Sequence, residues 1–195
     1  MEFCSFGPFC HTAMLLKNKK LKHCSYPFDW VFSSPDMIKR CISDNFSTFM
    51  NKSRYIHRLI NKCGHLDYHP NMFNHKNPLK NEKDYAYYER CVGRFQNLLK
   101  MENKKCFVML FKNGSAMDKS HIIDWNRWFS TCVQNYHLLI INHFVGIKPF
   151  YNTDTNENVT FVNLYTRSES NGVHFINQED NAFFFTVMDN VFVTL

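Results

Sequence analysis

Two short, unbroken apolar runs, Cys106-Phe-Val-Met-Leu-Phe111 and Leu138-Leu-Ile-Ile141, constrain this chain more than any other feature. A strand with one wet face alternates apolar and polar residues, so a strand that is apolar throughout needs cover on both faces. Between the runs, Ile122, Trp125, Trp128, Phe129 and Cys132 recur at helical spacing and predict a helix from His121 to Asn135, with Ser120 as its N-cap. Ahead of them, Tyr88, Cys91, Val92, Phe95, Leu98 and Leu99 predict a long helix from Glu82 to Lys100. Helix, strand, helix, strand in that order implies an α/β fold: a three-layer sandwich around a mostly parallel sheet, formed by a single domain of residues 1–195. Residues 2–6, 106–111 and 137–143 are the expected neighbouring parallel strands.

Elsewhere the pattern is less regular. Pro35 after Ser33-Ser34 is a helix start, and Met37, Ile38, Cys41, Ile42, Phe46 and Phe49 carry the helical period to Phe49. Arg54 to Asn61 reads as a shorter helix, so this part forms a helical insertion. Residues 64–81, rich in His, Asn and Pro, read as a loop long enough to be functional. Val159–Tyr165, Ala182–Met188 and Val191–Leu195 read as strands with no helix between them, which predicts an antiparallel edge.

Composition excludes several classes. No apolar run approaches the roughly 18 residues of a membrane span, and the first residues lack the pattern of a secretory signal. An intracellular, cytoplasmic location is the expectation. The net charge of +6 comes from scattered lysines and two runs, Lys17–Lys22 and Lys100–Lys105, rather than a focused basic face, so nucleic acid is not an expected partner. The eight cysteines contain no CxxC pair and read as free thiols in a reducing compartment. No phosphate-binding loop or dinucleotide fingerprint is present, and no cofactor is expected. Cys63, His65, His69 and His75 fit no standard zinc spacing, so no metal site is expected.

The chemistry concentrates near the start, in Ser5-Phe6-Gly7-Pro8-Phe9-Cys10-His11. The run predicts a strand from Glu2 to Phe6, a tight turn at Gly7-Pro8 and a helix from Phe9 to Leu16. Cys10 then lies in a first helical turn, where unpaired amides and the helix dipole favour a thiolate and lower its pKa. Fifteen residues on, Ser25-Tyr26-Pro27-Phe28-Asp29-Trp30 frames a carboxylate with aromatics. Such an acid must be hydrogen-bonded to be tolerated, and Trp30 beside it is expected to be buried. His11 is an alternative base, and His143 and His174 flank late strands. Arg90 and Arg94, one helical turn apart, are solvated or form an anion clamp. The substrate-binding candidates are Ser5, Gly7, His11, Trp30, Arg90 and Arg94.

Taken together, Ser5-Phe-Gly-Pro-Phe-Cys10, Tyr26-Pro-Phe-Asp-Trp30, Phe73-Asn-His75 and Tyr88-Glu-Arg-Cys-Val-Gly-Arg94-Phe95, ahead of the strand Phe107–Phe111, resemble an uncharacterised domain family described as papain-like cysteine peptidases. The resemblance covers roughly residues 3–145. It implies Cys10 as nucleophile and His75 as base, with Asp29 as the orienting third group, and an α+β papain-like arrangement as the alternative fold. The family pattern has an acid after this histidine, where this chain has Lys76. The expected function is a cysteine-dependent hydrolase or acyltransferase acting on a peptide, acyl or glycoconjugate substrate. The alternative is a non-catalytic α/β module binding a sugar or phosphorylated ligand through Arg90 and Arg94.

Overall fold

The apolar runs lie side by side in a five-stranded sheet, in a computed structural model that describes residues 1–58, 62–115 and 117–195. In chain order the elements are β1 (Glu2–Ser5), α1 (Cys10–Asn18), α2 (Pro35–Ser43), a 3-10 turn (Lys52–Arg54), β2 (Tyr55–His57), β3 (Cys63–His65), α3 (Glu82–Lys100), β4 (Lys105–Phe111), α4 (Lys119–Phe129), β5 (Tyr136–Val145), β6 (Phe150–Asn156), β7 (Val159–Thr166) and α5 (Gln178–Val193). The sheet order is β1-β4-β5-β7-β6. All neighbours pair in parallel except β6, which runs antiparallel to β7 at the edge.

The pleat explains why β4 is apolar at every position from Cys106 to Phe111. Phe107, Met109 and Phe111 point to one face, where α2, α3 and α4 contribute Ile38, Phe95 and Trp125. Cys106, Val108 and Leu110 point to the other, where α1 and α5 contribute Leu16, Phe184 and Met188. Successive side chains thus enter two separate cores. Each buried Leu or Phe stabilises the fold by about 1.5–3 kcal/mol relative to exposure. The fold is therefore the expected mixed α/β architecture with a mostly parallel sheet and helices on both faces.

Several local expectations are corrected. The helix from Pro35, capped by Ser34, whose Oγ accepts the Met37 amide at 3.1 Å, stops at Ser43 rather than Phe49. Asn45 and Phe46 adopt φ of 54° and 63°, which turns the chain off the helical path while Phe46 and Phe49 stay buried. Tyr55–His57 is a strand paired antiparallel with Cys63–His65, not part of a helix. The remainder of that predicted helix, at residues 59–61, lies outside the described residues. The insertion is thus a helix plus a hairpin. The α4 cap is Asp118, whose carboxylate accepts the Ser120 amide at 2.8 Å, and the helix ends at Phe129. Ala182–Met188 and Val191–Val193 are helical, in α5. The antiparallel edge exists, but the polar segment β6 supplies it.

Candidate active site

The turn that presents Cys10 is built by packing around Gly7. Its φ is 76°, and a β-carbon there would lie 2.1 Å from Ser33 Oγ, so only glycine fits. The Gly7 carbonyl accepts the Leu110 amide at 3.0 Å and the Thr12 hydroxyl at 2.9 Å, which ties the turn to β4 and α1. Ser5 is buried, and its Oγ accepts the Gly7 amide at 3.3 Å. Ser33 donates its hydroxyl to the Phe6 carbonyl at 2.9 Å, joining the turn to the segment that carries Asp29 and Trp30. Ser5 and Gly7 therefore shape the turn from inside it and do not line a binding surface.

Helix α1 begins at Cys10. Its N-cap, Phe9, offers no side-chain acceptor, and among the described residues nothing accepts the Cys10 and His11 amides. The Cys10 thiol is 3.3 Å from His75 Nε2, a contact between residues 65 positions apart in sequence. His75 is exposed and sits on the loop after Phe73, whose ring is buried against Phe49 and Tyr88. On the far side of His75, Asn77 is buried and its amide donates to Asp84 at 2.8 Å. Lys76 reaches the same carboxylate at 3.2 Å. Trp30 stands edge-on to the His75 ring, centroids 6.2 Å apart. It is half-buried rather than fully enclosed.

The acidity of Cys10 runs opposite to the sequence expectation. Burial is the largest effect and pushes its thiol up to about 11; its own amide pulls it down, and Asp29 pushes it up further. The helix start does not outweigh desolvation.

Asp29 is fully buried and does not reach His75 by a hydrogen bond. Its carboxylate pairs with Lys22 and accepts the Tyr26 amide at 2.7 Å. Desolvation raises its pKa, and Lys22 and the Tyr26 amide pull it part of the way back. One oxygen of the expected orienting acid, Oδ2, is thus taken by a cation and a backbone amide, while Oδ1 is buried with no hydrogen-bond partner among the described residues. The physical reason is local: Lys22 is held by the Cys24 carbonyl at 2.7 Å, at the mouth of the loop that Asp29 closes.

His11 faces away from Cys10. It is buried, its Nδ1 lies 2.8 Å from Ser170 Oγ, and its ring packs on Phe175 and Phe184. Burial lowers its pKa to about 3, so it is neutral. This removes it as an alternative base and as a substrate contact. His143 is buried and accepts the Asn113 amide at 3.1 Å, and His174 bonds Asn171. Arg90 and Arg94 are exposed on α3, with no hydrogen bond to Cys10, His75 or Asp29 among the described residues. Cys63, His65 and His69 have separate backbone partners: the Gly64 carbonyl, the Thr48 carbonyl and the Asn71 amide.

Sequence reasoning missed Lys112 and Phe32. Lys112 Nζ lies 4.8 Å from the Phe9 ring centroid and donates to the Ser170 carbonyl at 3.3 Å. Phe32 packs between Phe9 and His69, centroids at 6.1 and 4.9 Å. The available signal for Lys112 was its place directly after a buried parallel strand, where sites of such sheets lie.

The arrangement offers a thiol in contact with an imidazole, free amides at a helix start and half-buried rings beside them. No helix among the described residues is long and apolar enough to cross a membrane. No curated protein and no solved structure matches the chain. A family model does, over residues 1–182, and the chain belongs to that family, described as "Putative papain-like cysteine peptidase (DUF1796)".

Proposed function

We propose that the chain, as a single domain of residues 1–195, is a cysteine-dependent hydrolase or acyltransferase that works through a Cys10–His75 dyad. The observation that carries this reading is the 3.3 Å contact between the thiol and Nε2, made at an uncapped helix start. Family membership supports it.

Burial holds the thiol's pKa up, and in this reading His75 acts as a general base during attack. Nε2 takes the thiol proton as Sγ adds to a carbonyl carbon of the substrate. The oxygen that becomes negative is stabilised by the Cys10 and His11 amides, aided by the positive end of the α1 dipole. When the tetrahedral intermediate collapses, the imidazolium returns the proton to the departing amine, alcohol or thiol. This leaves a thioester on Cys10. Water, or a second acceptor, then attacks the thioester with His75 again as base, releasing the acyl group and restoring the thiol. In this reading Trp30, edge-on to His75, restrains the ring. Asp29 positions the 22–29 loop and is not a proton acceptor in the cycle. A cytoplasmic setting fits the free thiols.

The test is intact-mass detection of an acyl-enzyme with a panel of activated peptide, ester and thioester substrates. An adduct on the wild type, lost in Cys10→Ser and slowed in His75→Ala, is the expected result. A panel that leaves no adduct and no Cys10-dependent turnover would overturn the reading in favour of a binding module.

A further inference from the structure

The start of α1 is held from two sides. Phe9 offers it no side-chain cap, and an uncapped helix end frays unless other contacts fix it. One contact is local: the Thr12 hydroxyl donates to the Gly7 carbonyl at 2.9 Å. The other comes from the segment after β7. His11 Nδ1 lies 2.8 Å from Ser170 Oγ, across 159 positions of sequence, and both side chains are buried.

Ser170 is itself fixed by the carboxyl ends of the sheet. Its amide donates to Asn113 Oδ1 at 2.8 Å, and its carbonyl accepts Asn113 Nδ2 at 3.0 Å and Lys112 Nζ at 3.3 Å. Its hydroxyl also accepts the Gly172 amide at 3.1 Å. The Asn113 amide donates to His143 Nδ1 at 3.1 Å, and His143 Nε2 lies 2.8 Å from Thr166 Oγ1. A run of hydrogen bonds thus joins the ends of β4, β5 and β7 to the ring of His11. Buried polar networks whose members are bonded in this way rigidify what they touch.

The anchored ring belongs to the residue whose amide, with that of Cys10, faces the oxyanion in the proposed mechanism. Among the described residues, no hydrogen bond joins His11 or Ser170 to the Cys10 thiol or to His75. We propose that Ser170 is a positioning residue, acting through His11 to aim the Cys10 and His11 amides and leaving the reactivity of the thiol to His75. The inference rests on the acyl-transfer reading. It requires the His11–Ser170 pair to matter only in a step that creates an oxyanion.

Two reactions of Cys10 make that distinction. Acylation by a p-nitrophenyl ester passes through a tetrahedral oxyanion. Alkylation by iodoacetamide does not, because Sγ displaces iodide at a saturated carbon. Ser170→Ala and His11→Phe each remove the bond, the second while keeping a ring against Phe175 and Phe184. Each should lower kcat for the ester at least about tenfold, toward the roughly hundredfold of a misplaced reacting group, with KM within about twofold. The double variant should fall within about twofold of the single ones, because both delete the same interaction. Alkylation of Cys10, followed by residue-resolved mass spectrometry, should stay within about twofold of the wild type, since its thiolate fraction is untouched. Circular dichroism restricts the comparison to folded variants, and either single variant is sufficient. A folded variant that acylates at the wild-type rate overturns the proposal, as does one that loses alkylation as much as acylation. A wild type that forms no acyl-enzyme overturns the acyl-transfer reading itself, and the proposal falls with it.

Discussion

The carboxylate of Asp29 is paired with Lys22, not with the imidazole of His75. The pair is buried on both sides, with side-chain exposures of 1% for Asp29 and 8% for Lys22. Removing one partner of a buried pair leaves an uncompensated charge and costs about 3–5 kcal/mol. Asp29→Ala should therefore lower the urea midpoint strongly. The double variant Asp29→Leu with Lys22→Met should recover most of that stability, and where folded it should keep turnover within about tenfold of the wild type. A folded double variant that loses the 10²–10⁴-fold typical of a missing acid–base group would show that Asp29 acts in the chemistry.

Labelling of Cys10 by an alkylating reagent should be slow at pH 6.5 and rise about tenfold per pH unit toward pH 11, following the thiolate fraction of a thiol held up by burial. Residue-resolved mass spectrometry separates it from the half-buried Cys24 and Cys132. A plateau reached below pH 8 would mean that the resting pair is thiolate and imidazolium.

Acid should destabilise the fold through its buried histidines. His11 and His143 have native pKa values of about 3 and about 4, lowered first of all by burial. A depressed native pKa contributes stability that is complete above the unfolded value of about 6.5 and is lost as pH falls toward the native value. Each histidine contributes a slope of about 1.4 kcal/mol per pH unit in that window. The urea midpoint should fall steeply from pH 6.5 to pH 4, and His143→Gln should reduce the slope.

Gly7→Ala should cost about 1–3 kcal/mol from the left-handed backbone alone, with a further loss from the contact with Ser33 Oγ. Urea unfolding measures the sum. Ser33→Ala in the same chain should relieve part of it, because the clashing oxygen is gone.

The central part of this fold was legible because burial on both faces writes itself directly into sequence. β4 is apolar at Phe107 and Val108 alike since each faces a different core. Helix α3 was legible to its ends, Glu82 and Lys100, because its buried residues hold one stripe. Helix α5 was not. Ala182-Phe-Phe-Phe185 presents apolar residues on several sides of the helix, so no periodicity separates it from a strand. β6 was missed for the opposite reason: a solvated edge strand needs no apolar residues to hold its register. At the candidate site, Cys10 stood out by its place after a strand and turn and His75 only through resemblance; spacing alone would not have joined them. The partner of Asp29 was hidden because a lysine in a basic run reads as solvated, and only the closed loop reveals Lys22 as buried.

The loop bearing His75 is a short arch between two buried posts, Phe73 and Asn77. Phe73 is packed against Phe49 and Tyr88, two residues before the imidazole that contacts Cys10. On the proposed mechanism, the reorganisation free energy of bringing base to nucleophile is then spent during folding rather than at each turnover. Such a preorganised pair meets its substrate already assembled, so in single-turnover kinetics acylation should begin without a lag.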